Sequence, residues 1–330
     1  MTIEITYILG IFNAERTLKE CLDSILMQDV NKKSYEILIM DGGSTDNTLK
    51  IIKEYISKEK NIKLFHNLNK LSEGKGNGKD QGVSKAKGKY LVFLDHDNII
   101  LSKDWINKML EPFKDKEVMA SQSLLDYKQS DTNFLKYINA LGVEDPFAAP
   151  YSLVSQIALN PSKFKKVNNS YIFNLSKKNI LFFGANGCIF RKSIFKTING
   201  YTRDVDVSAS MAEHNMKVAV PIKPRIYHNT SNNMLSFLKK KMIYFYRFIN
   251  KEYKTKSFKW TQLGSPPSTI RFFLTVLTNL TLIVPLYQIM PKFIADKKLF
   301  WLLHPFYVFY ITLLYGFVTL FKFKNFLKYV

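Results

Sequence analysis

The sequence predicts an α/β fold with a mostly parallel sheet covered by helices on both faces. Two observations predict it: short apolar runs with the length and composition of buried strands, and amphipathic helical segments between these runs. The strand-like runs are Ile3–Ile11, Tyr35–Met40, Ile62–Phe65 and Tyr90–Leu94. Strands that alternate with helices usually form a parallel sheet. Ligands of such sheets bind beyond the carboxyl ends of the strands, so the segments that follow each strand are the candidates for function.

Helical periodicity supports the same fold class. The helix after the first strand is expected to begin near Asn13, a residue type that often caps helices. Its apolar residues share one face: Leu18, Cys21, Leu22, Ile25 and Leu26. A second amphipathic helix is predicted with Leu49, Ile52, Tyr55 and Ile56 on its apolar face.

The second half of this domain is less regular. Residues 122–180 show no firm period, and we expect a helical insertion there. A strand is predicted over Phe182–Phe190, followed by a short helix near Ser193. Further strands are expected near Val218 and Ile226.

The composition is that of a folded and strongly basic chain. Of 330 residues, 46% are hydrophobic, which supplies a packed core and excludes wholesale disorder. The formal charge of +21 indicates contact with nucleic acid, an anionic membrane or phosphate-bearing substrates. Cys21 and Cys188 belong to no metal or redox motif and are predicted to be buried, reduced thiols. The N-terminus shows no secretory signal pattern, so the first domain is expected in the cytosol.

The distribution of charge favours lipid over nucleic acid as the macromolecular partner. Residues 236–260 interleave aromatic residues with eight Lys and Arg and hold a single acid, Glu252. Two runs without Asp, Glu, Lys or Arg follow, Phe272–Met290 and Leu299–Phe321. At about 1.5 Å per helical residue, each run is long enough for the roughly 30 Å hydrocarbon core of a bilayer. A nucleic-acid groove is the rival interpretation of the basic segment, and its position beside apolar runs argues against it.

We therefore expect three parts in the chain. A soluble domain covers residues 1–230, and a basic amphipathic segment on anionic lipid covers 231–265. A transmembrane helical hairpin with a short cytosolic tail covers 266–330, with both flanks on the cytosolic side because they are basic. Two alternatives stay open for the apolar runs: buried helices of a soluble core, and helices lying on the membrane surface.

The first candidate motif is Asp95-His96-Asp97, which follows the strand Tyr90–Leu94. Two carboxylates at the end of a buried strand are unfavourable unless something neutralises them. Mg²⁺ or Mn²⁺ bridging the phosphates of a nucleotide would do so, because hard cations prefer oxygen ligands. The structural alternative is a pair of surface acids in a turn or helix cap.

Two further loops follow strands. In Asp41-Gly42-Gly43-Ser44-Thr45-Asp46, a carboxylate could accept hydrogen bonds from a base ring, or the segment could be a plain turn that caps a helix. The glycine-rich segment Glu73–Lys79 lacks the spacing of an ATP-binding phosphate loop. It could still present Lys75 or Lys79 to phosphates.

Taken in order, these segments resemble glycosyltransferase family 2, a family of inverting enzymes with a Rossmann-like GT-A fold. The resemblance covers residues 3–230. Its other pieces are Phe12-Asn13, Lys79-Asp80-Gln81-Gly82, Gly88-Lys89-Tyr90, Gly184-Ala185-Asn186, Gly200-Tyr201, Asp204-Val205-Asp206 and His228. Each piece is short, and the order and spacing of the pieces make the match specific.

The resemblance implies a donor site for a nucleotide-diphosphate sugar, with a UDP-sugar favoured. Asp41 would contact the base, Phe12 and Asn13 would line the base pocket, and Lys79 would approach a phosphate. Asp95 would touch the ribose or the diphosphate. Gly42 replaces the second acid of the base-binding motif, which leaves the identity of the nucleotide open.

The resemblance also implies the metal site and the catalytic base. Asp97 would hold Mg²⁺ or Mn²⁺, and His228 would reach the metal or the diphosphate. Asp204 would be the general base that takes the proton of the acceptor hydroxyl. Because Arg203 stands where the family commonly has an acid, Asp206 is a second candidate for this role.

The acceptor side is implied less closely. Gly184 and Asn186 would lie beside the acceptor, and the insertion at 122–180 is expected to contact it. The Gln-x-x-Arg-Trp signature of processive synthases is not evident after Phe237, so addition of a single sugar is favoured. We expect a polyprenyl-phosphate-linked or glycan acceptor at the cytoplasmic membrane, with the catalytic domain facing the cytosol. The alternative is an inactive membrane scaffold or sugar-nucleotide sensor of the same fold.

Overall fold

The computed structural model describes residues 2–67, 69–178, 180–184, 186–230, 233–247, 250 and 266–327. These residues form two compact units. The first, which we call the sheet unit, comprises Met1–Asp126 and Asn160–Asn229. The second, which we call the helical unit, comprises Tyr127–Leu159 and Thr230–Val330. Most of the predicted basic segment 231–265 lies outside the described residues.

Twelve strands are formed by the described residues. In chain order they are β1 (Ile5–Ile11), β2 (Tyr35–Asp41), β3 (Ile62–His66), β4 (Tyr90–Leu94), β5 (Asn98–Ile100), β6 (Val118–Gln122), β7 (Leu124–Asp126), β8 (Lys165–Val167), β9 (Ser170–Asn174), β10 (Cys188–Arg191), β11 (Lys217–Pro221) and β12 (Arg225–His228). The four strands predicted in the first part of the chain are confirmed as β1 to β4.

The strands form two sheets. The larger has nine strands in the order β3-β2-β1-β4-β10-β6-β11-β9-β8, and the smaller has the order β5-β12-β7. Strands β3, β2, β1 and β4 are parallel, as predicted. Beyond β4 the sheet is mixed, since β10 is antiparallel to both of its neighbours and β9 is antiparallel to β11. The prediction of a mostly parallel sheet therefore holds for the half that ends in the candidate site.

Twelve α-helices accompany the strands in the described part of the chain. They are α1 (Leu18–Leu26), α2 (Thr48–Lys58), α3 (Gly78–Lys85), α4 (Trp105–Leu110), α5 (Asn133–Leu141), α6 (Leu153–Leu159), α7 (Ile194–Thr197), α8 (Asp204–Glu213), α9 (Met234–Arg247), α10 (Pro266–Leu280), α11 (Ile283–Asp296) and α12 (Leu303–Leu327). Helices α5, α6 and α9 to α12 belong to the helical unit.

The core of the sheet unit explains why β1 and β2 are apolar runs without alternation. Every residue of both strands is buried, as expected for central parallel strands covered on both faces. The apolar face of α1 packs into the same core. Both cysteines are buried free thiols, as predicted.

The segment 122–180 is only partly the helical insertion that the sequence predicts. It contains α5 and α6, and it also contains β7, β8 and β9. The predicted strand Phe182–Phe190 is shorter than expected and begins at Cys188. Gly184 and Gly187 have φ values of +148° and +71°, so the chain turns before it can enter the sheet. The helix α8 was not predicted; its buried side mixes apolar residues with Asp206 and Ser208, and two of its first three residues are acids.

The helical unit has its own core, rich in aromatic residues of α5, α9, α12 and the 3₁₀ turn Leu299–Leu302 before α12. Its buried residues include Phe134, Tyr137, Phe237, Trp301 and Tyr307. Phe134 packs edge-to-face on both Phe237 and Tyr307. Such aromatic pairs add about 0.5–1.5 kcal/mol each beyond the apolar area they bury.

The two predicted membrane-spanning runs differ in the structure. Within the described residues, Leu299–Leu320 is the one helical stretch long and apolar enough to cross a membrane. The first run is broken between Phe273–Leu280 and Ile283–Asp296, which are bent by 75°. Pro285 explains the break, because it cannot donate a backbone hydrogen bond and its ring clashes with the carbonyl four residues earlier. The transmembrane hairpin is thus not confirmed.

Candidate active site

The candidate site lies where β1, β2 and β4 end in the sheet unit. Asp41 is the last residue of β2 and pairs with Ile11 of β1. On the other side of β1, Leu94 pairs with Leu9, so Asp95 follows at the same edge of the sheet. Strands of a sheet are about 4.8 Å apart, which places the two acids about 10 Å from each other across β1.

Asp41 organises the loop that follows β2. Its carboxylate accepts hydrogen bonds from the backbone N–H groups of Gly43 and Ser44 at 3.0 and 3.2 Å, and from Ser44 Oγ at 2.6 Å. The side chain is buried. The predicted contact with a base ring therefore has to use the oxygen lone pairs that this loop leaves available.

Phe12 and Asn13 follow β1 beside this loop. Asn13 lies in the left-handed region with φ +48°, and its Oδ1 accepts a hydrogen bond from the Thr45 N–H at 2.9 Å. The Asn13 N–H in turn donates to Ser44 Oγ at 2.9 Å. Asn13 thus joins the ends of β1 and β2. Phe12 is 53% exposed, an unusual environment for a large aromatic ring next to a buried strand.

Lys79 is the electrostatic centre of the site. Its side chain is 1% exposed, and its ammonium lies 3.1 Å from Asp95 Oδ1 and 3.2 Å from Glu73 Oε1. Burial alone lowers the pKa of this ammonium, but the charges of Asp95, Glu73 and Asp204 outweigh burial and hold the pKa well above its usual range. Lys79 therefore stays charged and holds these acids together.

Asp97 and His228 form a second group, which the pairing of β5 with β12 brings together. His228 pairs with Asn98, the residue that follows Asp97. As a result, His228 Nε2 lies 3.3 Å from Asp97 Oδ2. The sequence predicted both residues as metal-site candidates although 130 positions separate them along the chain.

The two side chains of this second group could bind a divalent cation whose remaining ligands come from a nucleotide. A carboxylate oxygen and an imidazole nitrogen are ligands that Mn²⁺ accepts, and phosphate oxygens are the usual further ligands of Mg²⁺ and Mn²⁺. Among the described residues, no group of three or more His, Cys, Asp or Glu is arranged to hold a metal by itself. The site thus fits a cation that arrives with the diphosphate.

Asp204 lies at the start of α8 and is held by two neighbours. The Tyr201 hydroxyl donates a hydrogen bond to Asp204 Oδ1. Gly184 leaves room for the carboxyl group, since a Cβ at Gly184 would lie 2.8 Å from Asp204 Cβ and 3.1 Å from its Oδ1. Tyr201 is itself fixed, because its ring stacks on Phe93 at 4.6 Å and its N–H donates to Asp80 Oδ1 at 2.7 Å.

The surroundings of Asp204 favour a proton acceptor at neutral pH. Burial and the negative charge of Glu73 raise the pKa of Asp204 to about 7. The charge of Lys79 and the hydrogen bond from Tyr201 act in the opposite direction, and Asp95 adds to the increase. A general base works best when its pKa lies near the operating pH.

Asp206, the second candidate for the base, has a different environment. Its side chain is buried, and its Oδ2 accepts a hydrogen bond from Arg203 Nη1 at 3.1 Å. This ion pair at the first turn of α8 gives Asp206 a structural role. Asp204 is thus the acid of this pair whose environment suits proton transfer.

Gln122 fixes the two predicted acceptor-side residues. Its Oε1 accepts a hydrogen bond from the Gly184 N–H at 3.0 Å, and its Nε2 donates to the Asn186 carbonyl at 2.8 Å. The Asn186 side chain accepts a hydrogen bond from Asn98 Nδ2 at 3.0 Å. Asn98 also accepts a hydrogen bond from the Asp95 N–H at 3.0 Å. The loop of Gly184 and Asn186 therefore touches both the Asp204 group and the Asp97 group.

The glycine-rich segment before α3 closes onto the segment before α8. Gly74 donates a backbone hydrogen bond to the Thr202 carbonyl at 2.6 Å, and Lys75 Nζ donates to Asn199 Oδ1 at 2.9 Å. Lys75, one of the two lysines that this segment could present to phosphates, thus contacts Asn199 within the protein. This contact places Glu73 and Lys79 beside Asp204.

The structure thus brings most of the predicted residues to one edge of the sheet, and it adds four that the sequence left without a role. These four are Glu73, Asn98, Gln122 and Tyr201. Glu73 and Tyr201 lie within motifs that the sequence singles out. Asn98 directly follows the acid motif. No sequence motif marks Gln122, because only the fold brings β6 next to β10.

Acids that follow parallel strands, with the buried ammonium of Lys79 paired to one of them, lie at the edge of the sheet where α/β proteins bind their ligands. The chain belongs to glycosyl transferase family 2, whose model matches residues 6–198.

Relatives with curated descriptions agree with this family. The chain is 30% identical over 135 residues to glycosyltransferase GlyG of Streptococcus pneumoniae, covering 41% of this chain and 43% of that protein. It is 34% identical over 101 residues to a poly(ribitol-phosphate) beta-glucosyltransferase of Bacillus spizizenii, covering 31% of this chain and 16% of that protein. The chain therefore spans less than half the length of these relatives.

Solved structures share the fold over most of the chain. A mannosyltransferase of Pyrobaculum calidifontis in complex with GDP-Man and Mn²⁺ has a TM-score of 0.54 at 13% identity, covering 95% of this chain and 87% of that one. Staphylococcus aureus TarS 1–349 with UDP-GlcNAc has a TM-score of 0.51 at 15% identity, covering 95% and 92%. At these identities the likeness shows the fold, and it is the fold that the resemblance implied.

The hydrogen bond from Tyr201 to Asp204 is testable by titration. Tyr201→Phe removes a donor that stabilises the ionised carboxylate, so we expect the pKa of Asp204 to rise by about one to two units, since a hydrogen bond to a charged group contributes about 1.5–3 kcal/mol. Carboxyl ¹³C NMR of the aspartate-labelled protein measures this pKa, with Asp204→Asn assigning the signal.

The matched control is Tyr7→Phe, which removes a buried hydroxyl from β1. It should leave the Asp204 titration unchanged. An unchanged titration in Tyr201→Phe as well would contradict the role of this hydrogen bond.

Proposed function

We propose that the protein transfers a sugar from a nucleotide-diphosphate sugar, with a UDP-sugar favoured, to a hydroxyl group of an acceptor, with inversion at the anomeric carbon. The observation that carries the proposal is Asp204. It is a carboxyl group with a pKa near neutrality, placed beside the Lys79–Asp95 ion pair at the edge of the sheet. Membership of glycosyl transferase family 2 supports it.

On the donor side, the nucleotide would lie across the ends of β1 and β2. Phe12 offers an exposed ring on which a base can pack, and the loop organised by Asp41 offers polar groups to the base edge. Asn13 keeps the two strand ends together. Asp95 is oriented by Lys79 and would accept hydrogen bonds from the ribose hydroxyls.

At the diphosphate, Asp97 and His228 would hold a divalent metal. When bound, such a cation neutralises the negative charge that develops on the leaving diphosphate. The neighbouring protein groups position these two ligands. Asn98 contacts Asp97 through Nδ2 at 3.4 Å, and the Asn229 N–H donates to the Asp97 carbonyl at 2.8 Å.

On the acceptor side, Asp204 would accept the proton of the attacking hydroxyl. As the acceptor oxygen bonds to the anomeric carbon from one face, the bond to the diphosphate breaks on the opposite face, and the sugar configuration inverts. The proton goes to the Asp204 carboxylate. Tyr201 and Gly184 hold this carboxylate in place, and the loop of Gly184 and Asn186 would border the acceptor.

The acceptor we propose is a lipid-linked or membrane-surface glycan used in cell-surface polysaccharide or glycoconjugate synthesis. Two properties of the chain support it: the high basic charge, and the apolar helix Leu299–Leu320. Relatives named poly(ribitol-phosphate) transferases and poly-beta-1,6-N-acetyl-D-glucosamine synthases point to polymeric acceptors. Membrane association, through a spanning hairpin or through helices on the lipid surface, would keep the donor site in the cytosol, where sugar nucleotides are available.

Asp204→Asn tests the base. An amide cannot accept the proton, so turnover should fall by about 10²–10⁴-fold. Binding of UDP, measured by calorimetry, should be retained, because the amide keeps the shape of the carboxyl group. Release of UDP from a panel of UDP-sugars measures turnover, and an inactive scaffold would release none even in the wild type.

Asp206→Asn is the matched comparison two positions along α8. Because this acid pairs with Arg203, we expect a loss of thermal stability and a turnover much closer to that of the wild type. A larger loss of turnover in Asp206→Asn than in Asp204→Asn would move the base role to Asp206.

Asp97→Ala tests the metal assignment. We expect loss of Mn²⁺ binding in the presence of UDP, followed by electron paramagnetic resonance, together with loss of transfer. The control Asp104→Ala removes an exposed acid that pairs with Lys108 on α4, and it should bind Mn²⁺ normally. An Asp97→Ala protein that still binds Mn²⁺ with UDP would refute this assignment.

A further inference from the structure

The helical unit exposes a large apolar surface. On α12 the exposed side chains recur every three or four residues and form one stripe: Phe306, Tyr310, Leu313, Phe317 and Leu320. Further exposed apolar side chains on α10 and α11 include Ile270, Phe273, Leu277, Ile283, Tyr287 and Ile294. A groove of about 250 Å³, lined only by apolar residues, opens at Leu286 and Phe306. An exposed surface of this kind marks contact with a partner or a membrane.

The opposite face of α12 packs along α9. Tyr307 contacts Phe237 at a ring distance of 6.2 Å, and Tyr315 stacks on Phe245 at 4.0 Å. Both pairs have the same spacing of eight residues, so the two helices run side by side over about 12 Å. This stretch is the middle of the apolar run Leu299–Leu320.

Charged groups accompany α9 along this stretch. Lys241 pairs with Glu144 at 2.8 Å, and Lys240 lies 3.7 Å from the same carboxylate. The Tyr307 hydroxyl donates to the Glu144 carbonyl at 3.4 Å, and the Tyr315 hydroxyl donates to Asp145 Oδ2. The middle of α12 is therefore bonded to a segment that carries two acids and is paired with a lysine-rich helix.

These contacts disfavour a helix that crosses the membrane. If α12 crossed the bilayer, α9 and the segment at Glu144 and Asp145 would enter the hydrocarbon core beside it. Each ionised group placed there costs several kcal/mol. Tyr310, which is 48% exposed, would face lipid at the centre of the bilayer, whereas exposed tyrosines favour the interface.

The first apolar run gives a second, independent argument. It is divided between α10 (Pro266–Leu280) and α11 (Ile283–Asp296), which are about 22 and 21 Å long at 1.5 Å per residue. Neither piece reaches the roughly 30 Å of a bilayer core, and they are bent by 75°. Two helices of this length, joined at such a bend, can lie within one leaflet of the bilayer.

We propose that the helical unit lies in a single leaflet of an anionic membrane, with α12 parallel to the membrane surface and no segment of α10 to α12 crossing it. The occupant of the apolar surface is thus lipid. Charge complementarity supports this choice, because Lys239, Lys297 and Lys298 are exposed on the same unit. The inference rests on the membrane association proposed above and replaces the predicted hairpin by an in-plane arrangement.

Cysteine labelling on either side of the apolar stretch Leu299–Leu320 tests the topology. Lys298→Cys and Lys322→Cys are introduced separately, and a membrane-impermeant maleimide is added to right-side-out or inside-out vesicles of the expressing cells. We expect both positions to react from the cytosolic side only. Native Cys21 and Cys188 are buried and should stay unlabelled in the folded protein.

Lys196→Cys, an exposed position on α7, is the control that reports the side of the sheet unit. A spanning α12 places Lys298→Cys and Lys322→Cys on opposite sides of the membrane, and that result would overturn the inference. It would leave the proposed reaction untouched.

Vesicle flotation tests the lipid contact itself with the full chain. We expect binding to phosphatidylcholine vesicles that contain phosphatidylglycerol, weaker binding without it, and weaker binding at high salt. Phe317→Glu should reduce flotation by at least tenfold, since it places a charge in the apolar stripe. Leu101→Glu, an exposed apolar position of the sheet unit, should float as the wild type does. No flotation, or equal flotation of both variants, would contradict the lipid contact.

Discussion

The buried ammonium of Lys79 is the interaction on which the candidate site depends. It lies within 3.2 Å of both Asp95 and Glu73, and it offsets the repulsion that these acids and Asp204 would otherwise exert on each other. Without it, these three neighbouring acids would bind protons or move apart. Lys79 also ties three parts of the chain together: the end of β4, the glycine-rich segment before α3, and the start of α8.

The loop of Gly184 and Asn186 is the second feature that fixes the geometry of the candidate site. Gln122 bonds to it on both sides, Asp204 packs against Gly184, and Asn98 bonds to the Asn186 side chain. A side chain at Gly184 would displace the Asp204 carboxyl group. One short loop thus contacts both Asp204 and Asn98, the neighbour of Asp97, and it links the two acid groups through a network of hydrogen bonds.

The parts of the fold that could be predicted from the sequence were those with clear local patterns. The strands β1 to β4 and the acids that follow them could be predicted, because a buried parallel strand is an uninterrupted apolar run and its end is marked by polar residues. The mixed half of the sheet could not, since β6 and β10 are short and meet only through long-range pairing. The roles of Glu73, Tyr201 and Gln122 depend on such contacts. The hairpin was predicted from the length of the two apolar runs. The length of a run predicts neither the bend near Pro285 nor the polar contacts of α12.

We propose that Asp41, Asp95, Asp97 and Asp204 surround a single nucleotide-diphosphate sugar at one edge of the sheet. An experimental structure of the protein with UDP and Mn²⁺ tests it most directly. We expect the base to lie beside Phe12 and the Asp41 loop. We also expect the diphosphate and the cation to lie against Asp97 and His228, with Asp204 facing the open side of the diphosphate. A nucleotide bound away from the ends of β1 and β4, or a cation without Asp97 as ligand, would contradict it.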